Sequence, residues 1–331
     1  MNITLLNTHE IFPSHLAGGI EKRIEAFIKH CRSNKINLKI ISQKPLKDIE
    51  DYILIPFEDL KQFTEHSINF LDTSKHIISY NLHEEALKVL DQNNIKVINA
   101  NCGGMAKGSR PQKQIYSSKN IKNRFLSLNQ KISYNGFYKE EETCVIPHGL
   151  GEEEFYLNKE DQTKEYFLWC ASLGWGLQPK GLDIFIKLAQ LYPNENFVAY
   201  GSKWNSENLE NFIKNLNIKN LSFNLGLNDE DKNKVFSKAI ALCQFTRLIE
   251  SCNIVTLESF SRGTPVLTLD EDQGGVTNNA KFFDLTLKSL EDLPTLKQKA
   301  MDINREEIFN FYKNKYHCKN ELEQIIEEFN K

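Results

Sequence analysis

Short apolar runs alternate with amphipathic stretches along most of this 331-residue chain, and few folds accept that rhythm. Residues 2–7 (NITLLN) read as a strand, followed by a Gly-containing loop and a helical pattern at Ile20, Ile24, Phe27 and Ile28. Strand-like runs recur at 37–42 (NLKIIS), 51–55 (DYILI), 76–80 (HIISY) and 95–100 (IKVINA), with an amphipathic stretch at 83–92 between the last two. Strand, helix, strand at this spacing predicts a parallel sheet covered by helices. The rhythm lapses over 103–142, which is rich in Gly, Lys, Asn and Ser and reads as loop or helix, and it resumes at 143–147 (TCVIP).

A polar, acidic segment, 148–165, then reads as an interdomain linker. Beyond it the alternation is clearer. Strands are expected at 166–171, 196–200, 220–225, 239–243 and 265–269, and helices at 180–191, 206–216, 229–238 and 252–262. The last segment, 305–329, reads as one amphipathic helix. A chain this long exceeds what one core supports, so two doubly wound domains are expected. The expected divisions are 1–160, 161–305 and a terminal helix, 306–331, packing back on the first domain. Ligands of such sheets sit beyond the carboxyl ends of the strands, here in a cleft between the domains.

Bulk properties exclude several classes. A hydrophobic content of 40% with 21 Phe suits a globular protein with substantial cores, and a net charge of −3 gives no global field for nucleic acid. The seven cysteines, Cys31, Cys102, Cys144, Cys170, Cys243, Cys252 and Cys318, are widely spaced and form no C-x-x-C, as expected of reduced thiols. The N-terminus, MNITLLNTHEIF, begins like a strand and lacks a signal peptide's plan. No apolar run approaches the roughly 20 residues needed to span a bilayer, so a soluble, cytoplasmic protein is expected, with the inner membrane surface as its furthest station. Oligomeric state leaves no mark in the sequence.

The most informative stretch is RLIESCNIVTLESFSRGTPVLTL, 247–269. Glu250 lies in a loop after a strand, a helix is expected to start near Asn253, and Glu258 falls about two turns further along. The amides of Asn253, Ile254 and Val255 would be the unpaired donors of a helix N-terminus, a natural phosphate cradle. Carboxylates repel phosphate but accept hydrogen bonds from hydroxyls, so this arrangement suits a nucleotide sugar. The plainer alternative makes Glu250 a helix-dipole partner and Glu258 a solvated helix residue. Spacing alone does not choose between them.

The stretch resembles the E-x7-E signature of glycosyltransferase family 4, retaining enzymes of the GT-B fold. Four other segments agree in order: AGGIEKRIEAFIK (17–29), VIPHGLGEEEF (145–155), FLWCASLGWGLQPKGLDIFIKLA (167–189) and DEDQGGV (270–276). The resemblance implies two Rossmann-like domains facing a central cleft. It also implies transfer of a hexosyl or pentosyl group from a nucleotide diphosphate sugar, with retention and without a metal or other cofactor. Gly18 and Gly19 would admit the donor close to the backbone. Lys180 would meet the diphosphate leaving group, and Glu250 would sit against the transferred sugar. These two are the expected catalytic residues. Glu258 would hold the ribose hydroxyls, and the amides of Asn253, Ile254 and Val255 the distal phosphate.

There are departures from the family pattern. Ser172 stands where an arginine on the diphosphate is usual, and Arg247 is the substitute offered for it. His148 replaces the usual Asn of the segment closing the first domain. A first-domain histidine is matched by His83, whereas NANCGG (99–104) offers Asn101 or Cys102 at another such place. Asp270, Glu271 and Asp272 read as a loop rather than as a metal-binding D-x-D.

Between Met105 and Arg124 stand Lys107, Arg110, Lys113, Lys119, Lys122 and Arg124 with no acidic residue. Lying on the expected acceptor domain, this run favours an anionic acceptor: a lipid phosphate, a phosphorylated glycan or DNA. Lys107, Arg110, Lys113 and His83 are the acceptor candidates. A solvated loop is the plainer reading of the run. The expected function is glycosyl transfer to a glycan or glycolipid of a surface polysaccharide. The alternatives are transfer to a modified base in DNA, or a GT-B-shaped protein that binds nucleotide sugars without turnover.

Overall fold

The structure, a computed structural model, describes residues 2–9, 19–46, 48–71, 76–80, 82, 84–101, 113–116, 143–159, 163–171, 178–201, 211, 215–227, 229–247, 253–269 and 285–329. They gather into two compact units, Met1–Gly151 with Tyr316–Lys331, and Glu152–Lys315.

The first unit holds a seven-stranded, all-parallel sheet in the order β3-β2-β1-β4-β5-β6-β7. The strands are β1 (Asn2–Asn7), β2 (Asn37–Ser42), β3 (Ile53–Leu54), β4 (His76–Tyr80), β5 (Ile98–Asn101), β6 (Lys113–Tyr116) and β7 (Thr143–Val145). Alternation along β1 divides its side chains between two cores. Ile3 and Leu5 pack with Ile24, Phe27 and Ile28 of helix α1 (Gly19–Ser33), while Leu6 packs with Phe63 of α2 (Leu60–Ser67) and Leu87 and Leu90 of α3 (Glu84–Gln92). Asp59 caps α2 by accepting the amide of Gln62 at 2.8 Å.

The second unit has a six-stranded parallel sheet, β10-β9-β8-β11-β12-β13. Its strands are β8 (Tyr166–Ala171), β9 (Phe197–Gly201), β10 (Leu221–Leu225), β11 (Ala239–Gln244), β12 (Val266–Leu269) and β13 (Thr286–Leu287). Every residue of β11 is buried, as a central parallel strand covered on both faces requires. Helices α4 (Leu182–Leu191), α5 (Asp229–Lys238), α6 (Ile254–Phe260) and α7 (Leu293–Asp302) accompany it, and in its core Phe167 stacks on Phe197 while Phe185 meets Phe197 edge-on.

Three expectations are corrected. The strand at 51–55 shortens to Ile53–Leu54 at the sheet edge, and β6 lies inside the stretch read as loop or helix. The segment 148–165, read as an interdomain linker, contains the boundary between the units, and its Glu154 is held in the second: Ser261 Oγ donates to the Glu154 carbonyl at 2.8 Å and buried Arg262 reaches Glu154 Oε2 at 3.1 Å. The single terminal helix is two, α8 (Arg305–Tyr316) and α9 (Cys318–Phe329).

The break between α8 and α9 has a specific cause. His317 leaves the helix to form a parallel bridge with Leu150, whose carbonyl takes the Cys318 amide at 2.8 Å. Gly149 permits this approach, because a Cβ there would lie 2.4 Å from the Cys318 Cα. Helix α9 then packs Leu322 and Ile325 into the first unit's core. Its buried Glu321 pairs with Arg23 of α1 and accepts the Gly149 amide at 2.7 Å. Among the described residues no helix is long and apolar enough to cross a membrane.

Candidate functional site

Both sheets reverse their strand order once, in the first unit between β1 and β4 and in the second between β8 and β11. At such a switch point the connections after the two central strands leave in opposite directions and open a crevice, where doubly wound sheets bind ligands. Lys180 follows β8, and Arg247 and Asn253 follow β11, so these donor candidates come after the two strands at the second unit's switch point.

The Lys180 turn is fixed from several sides. Trp169, fully buried on β8, donates its Nε1–H to the Lys180 carbonyl at 3.0 Å. Gly181 caps α4 in the left-handed region, φ 74°, and a Cβ there would sit 2.1 Å from the Phe245 carbonyl oxygen. From the β11 side, the Arg247 amide and Thr246 Oγ1 donate to the Pro179 carbonyl at 2.9 and 3.2 Å. The Lys180 side chain itself is half-buried.

Arg247 lies beside Lys180, and its guanidinium is engaged there. It forks onto both carboxylate oxygens of Asp183 at 2.8 and 2.9 Å and donates to the Gln178 carbonyl at 2.5 Å. In this arrangement Arg247 ties the turn to the first turn of α4.

Asn253 is the N-cap of α6, its Oδ1 accepting the Thr256 amide at 3.2 Å. Helix geometry gives the amides of Ile254 and Val255 no acceptor within α6. Glu258 is not a solvated helix residue: it is 3% exposed, and Lys232 Nζ of α5 lies 2.8 Å from its Oε1. Gln244 Oε1 and Thr256 Oγ1, also buried, have no hydrogen-bond partner among the described residues.

Gly18, His83, Lys107, Arg110, Ser172 and Glu250, and the glycine pair of 270–276, lie outside the described residues. Gly19 opens α1, and Lys113 opens β6 opposite Ile98. His148 is buried in the first unit, where desolvation and then the Arg23 charge hold its pKa well below the ordinary histidine value.

One group of described residues brings three metal-type ligand atoms within 4.8 Å: His30, His317 and Cys318 of the first unit. The Nδ1 lone pair of His317 already accepts the Lys319 amide at 3.0 Å, capping α9.

Sequence reasoning passed over Lys232, Trp169 and Asp183. For Lys232 a signal existed, since it precedes Val235 and Phe236 by three and four residues and so shares their buried face. Its acidic partner, on another helix, left none.

Residues 152–281 match the family model described as Glycosyl transferases group 1, a span containing Lys180, Arg247, Glu250 and Glu258. No curated protein sequence matches the chain. Among solved structures, a glycosyltransferase from Rickettsia africae is similar over 99% of this chain and 98% of its own, at 14% identity and a TM-score of 0.70. Anabaena HepE, solved in complex with UDP-glucose, is similar over 99% of both chains at 14% identity and a TM-score of 0.69. WaaG, a glycosyltransferase involved in lipopolysaccharide biosynthesis, is similar over 96% of this chain and 94% of its own, at 14% identity and a TM-score of 0.64. These likenesses and the two switch-point sheets establish the fold as GT-B, built of two Rossmann-like α/β units, the second of which carries the group 1 glycosyl transferase match.

Proposed function

We propose that the chain transfers a sugar from a nucleotide diphosphate sugar to a glycan or glycolipid acceptor, with retention at the anomeric carbon. The observation that carries this reading is the Lys180 turn bonded to the exit of β11 at the second unit's switch point, with α6 the next helix after that strand. The match of that same unit to glycosyl transferases supports it, as does HepE's complex with UDP-glucose. WaaG's part in lipopolysaccharide biosynthesis supports a glycolipid acceptor.

In this reading the Lys180 ammonium and the amides of Asn253, Ile254 and Val255 stabilise charge as it develops on the departing diphosphate. Glu258 accepts the ribose hydroxyls, and Glu250 orients the transferred sugar. The leaving phosphate takes the acceptor's proton on the face from which it departs, so no side-chain nucleophile or metal is required. Gly18 and Gly19 admit a ligand close to the backbone, and the 105–124 basic run, with His83, receives an anionic acceptor. The protein's main contribution is orientation of the two substrates.

Thermal unfolding with a panel of nucleotide diphosphates and their sugars tests donor binding. A ligand at ~100 times its dissociation constant adds about 2.7 kcal/mol, a shift of a few degrees. The stabilising donor, incubated with glycan and glycolipid acceptors, should yield a product whose anomeric proton coupling matches the donor's configuration. No shift with any donor in folded protein, or an inverted product, overturns the reading. A Glu250→Ala protein that transfers as fast as wild type removes Glu250 from its role.

A further inference from the structure

Lys232 occupies a position on α5 that packing alone would give to an apolar residue. Val235 and Phe236, on the same helical face, are buried, and the Lys232 side chain is itself only 7% exposed. An ammonium there is costly unless paired, and its partner is Glu258, whose side chain is 4% exposed. The pair links the helix before β11 to the helix after it. A second tie runs beside it: Arg262 Nε donates to Asn233 Oδ1 and its Nη1 to the Glu258 carbonyl, at 2.8 and 2.9 Å. Asn233 and Lys232 are neighbours on α5, so the two helices are stapled at the level of the carboxylate.

Stability does not account for this choice, because apolar residues of similar volume often replace a buried ion pair without loss. What lysine supplies is charge. Burial disfavours an ionised carboxylate, and a protonated one becomes partly a donor. Lys232 opposes that protonation and fixes the carboxylate through Oε1. We propose that Lys232 is a positioning residue that keeps Glu258 ionised and aimed as an acceptor of vicinal ribose hydroxyls, so that the pair selects a ribonucleoside diphosphate donor over its deoxy forms. The inference rests on the ribose role given to Glu258 in the proposed function.

The test uses the full chain and the nucleoside diphosphate that stabilises it most, with the 2′-deoxy and 3′-deoxy forms of that compound, by titration calorimetry. Hydrogen bonds to a charged acceptor are worth about tenfold or more in affinity, so wild type should prefer the ribose form at least about tenfold. Lys232→Met should bring that preference within about threefold, whereas Lys232→Arg, which retains the charge, should keep most of it. Should Lys232→Met fail to fold, Lys232→Gln serves as the neutral variant. A folded neutral variant with the wild-type preference overturns the role of Lys232 and leaves the proposed function standing. A wild type that binds the nucleotide but ignores the ribose hydroxyls overturns the role of the pair. If wild type binds no nucleotide, the proposed function and this inference fall together.

Discussion

The Nε1–H of Trp169 is bonded at 3.0 Å to the carbonyl oxygen of Lys180, so the strand β8 holds the turn that follows it through an indole buried in the sheet's core. Trp169→Phe keeps most of the apolar contact and deletes the donor. An unsatisfied carbonyl costs about 1–3 kcal/mol, which urea unfolding will register. Nucleotide affinity should fall severalfold as the turn loosens. Phe197→Leu, in the same core without a bond to the turn, should lose stability and leave affinity unchanged at temperatures well below unfolding.

Two glycines with nearly the same backbone angle make a controlled comparison. Gly181 has φ 74° and would press a Cβ to 2.1 Å from the Phe245 carbonyl oxygen, whereas Gly226 has φ 72° with nothing within 4 Å. Gly226→Ala therefore costs only the left-handed penalty, about 1–2 kcal/mol. Gly181→Ala should cost several kcal/mol and abolish nucleotide binding, because the backbone of β11's exit must move. Equal losses in the two variants would show that the close approach is not what the glycine serves.

The sequence carried the interior of each sheet better than its rims. Strands β1, β2, β4 and β8 have the bounds their apolar patterns predict, since a parallel sheet covered on both faces leaves its strands little choice of residue. Strand β6, Lys113–Tyr116, has no such pattern and is a strand because β5 and β7 flank it. The break at His317 interrupts a periodicity that runs smoothly from 305 to 329, and its cause is the distant Gly149–Leu150 backbone. In the site, the Lys180 and Asn253 positions were legible because turn and cap residues act locally. The engagement of Arg247 by Asp183 and of Glu258 by Lys232 depends on how helices are set against the sheet, which no local spacing records.

Arg247 has two possible uses, and they predict different variants. If it serves the Asp183 fork, Arg247→Ala and Asp183→Ala should each weaken nucleotide binding by a similar small factor. A double-mutant cycle should then return a coupling of about 0.2–1 kcal/mol, as for exposed pairs. If it instead meets the diphosphate, Arg247→Ala should lose about tenfold or more in affinity, and Asp183→Ala, by freeing the guanidinium, should gain. The bidentate geometry at 2.8 and 2.9 Å favours the first outcome.

His148 gives the first unit a dependence on acid. Burial, and then the charge of Arg23, hold its folded pKa well below the unfolded value of about 6.5. Below that value the unfolded chain binds a proton that the folded chain refuses, so stability falls as pH drops from about 6.5 toward the folded pKa. The slope is at most about 1.4 kcal/mol per pH unit. Above about 7 the residue is neutral in both states and adds no slope. His148→Gln should therefore lose less stability than wild type between pH 6.5 and 5.5, measured by urea unfolding at fixed salt, while the two proteins keep a constant difference between pH 7 and 8. Parallel profiles across the acid range would show that His148 protonates in the folded state and that the pocket beside Arg23 opens to admit it.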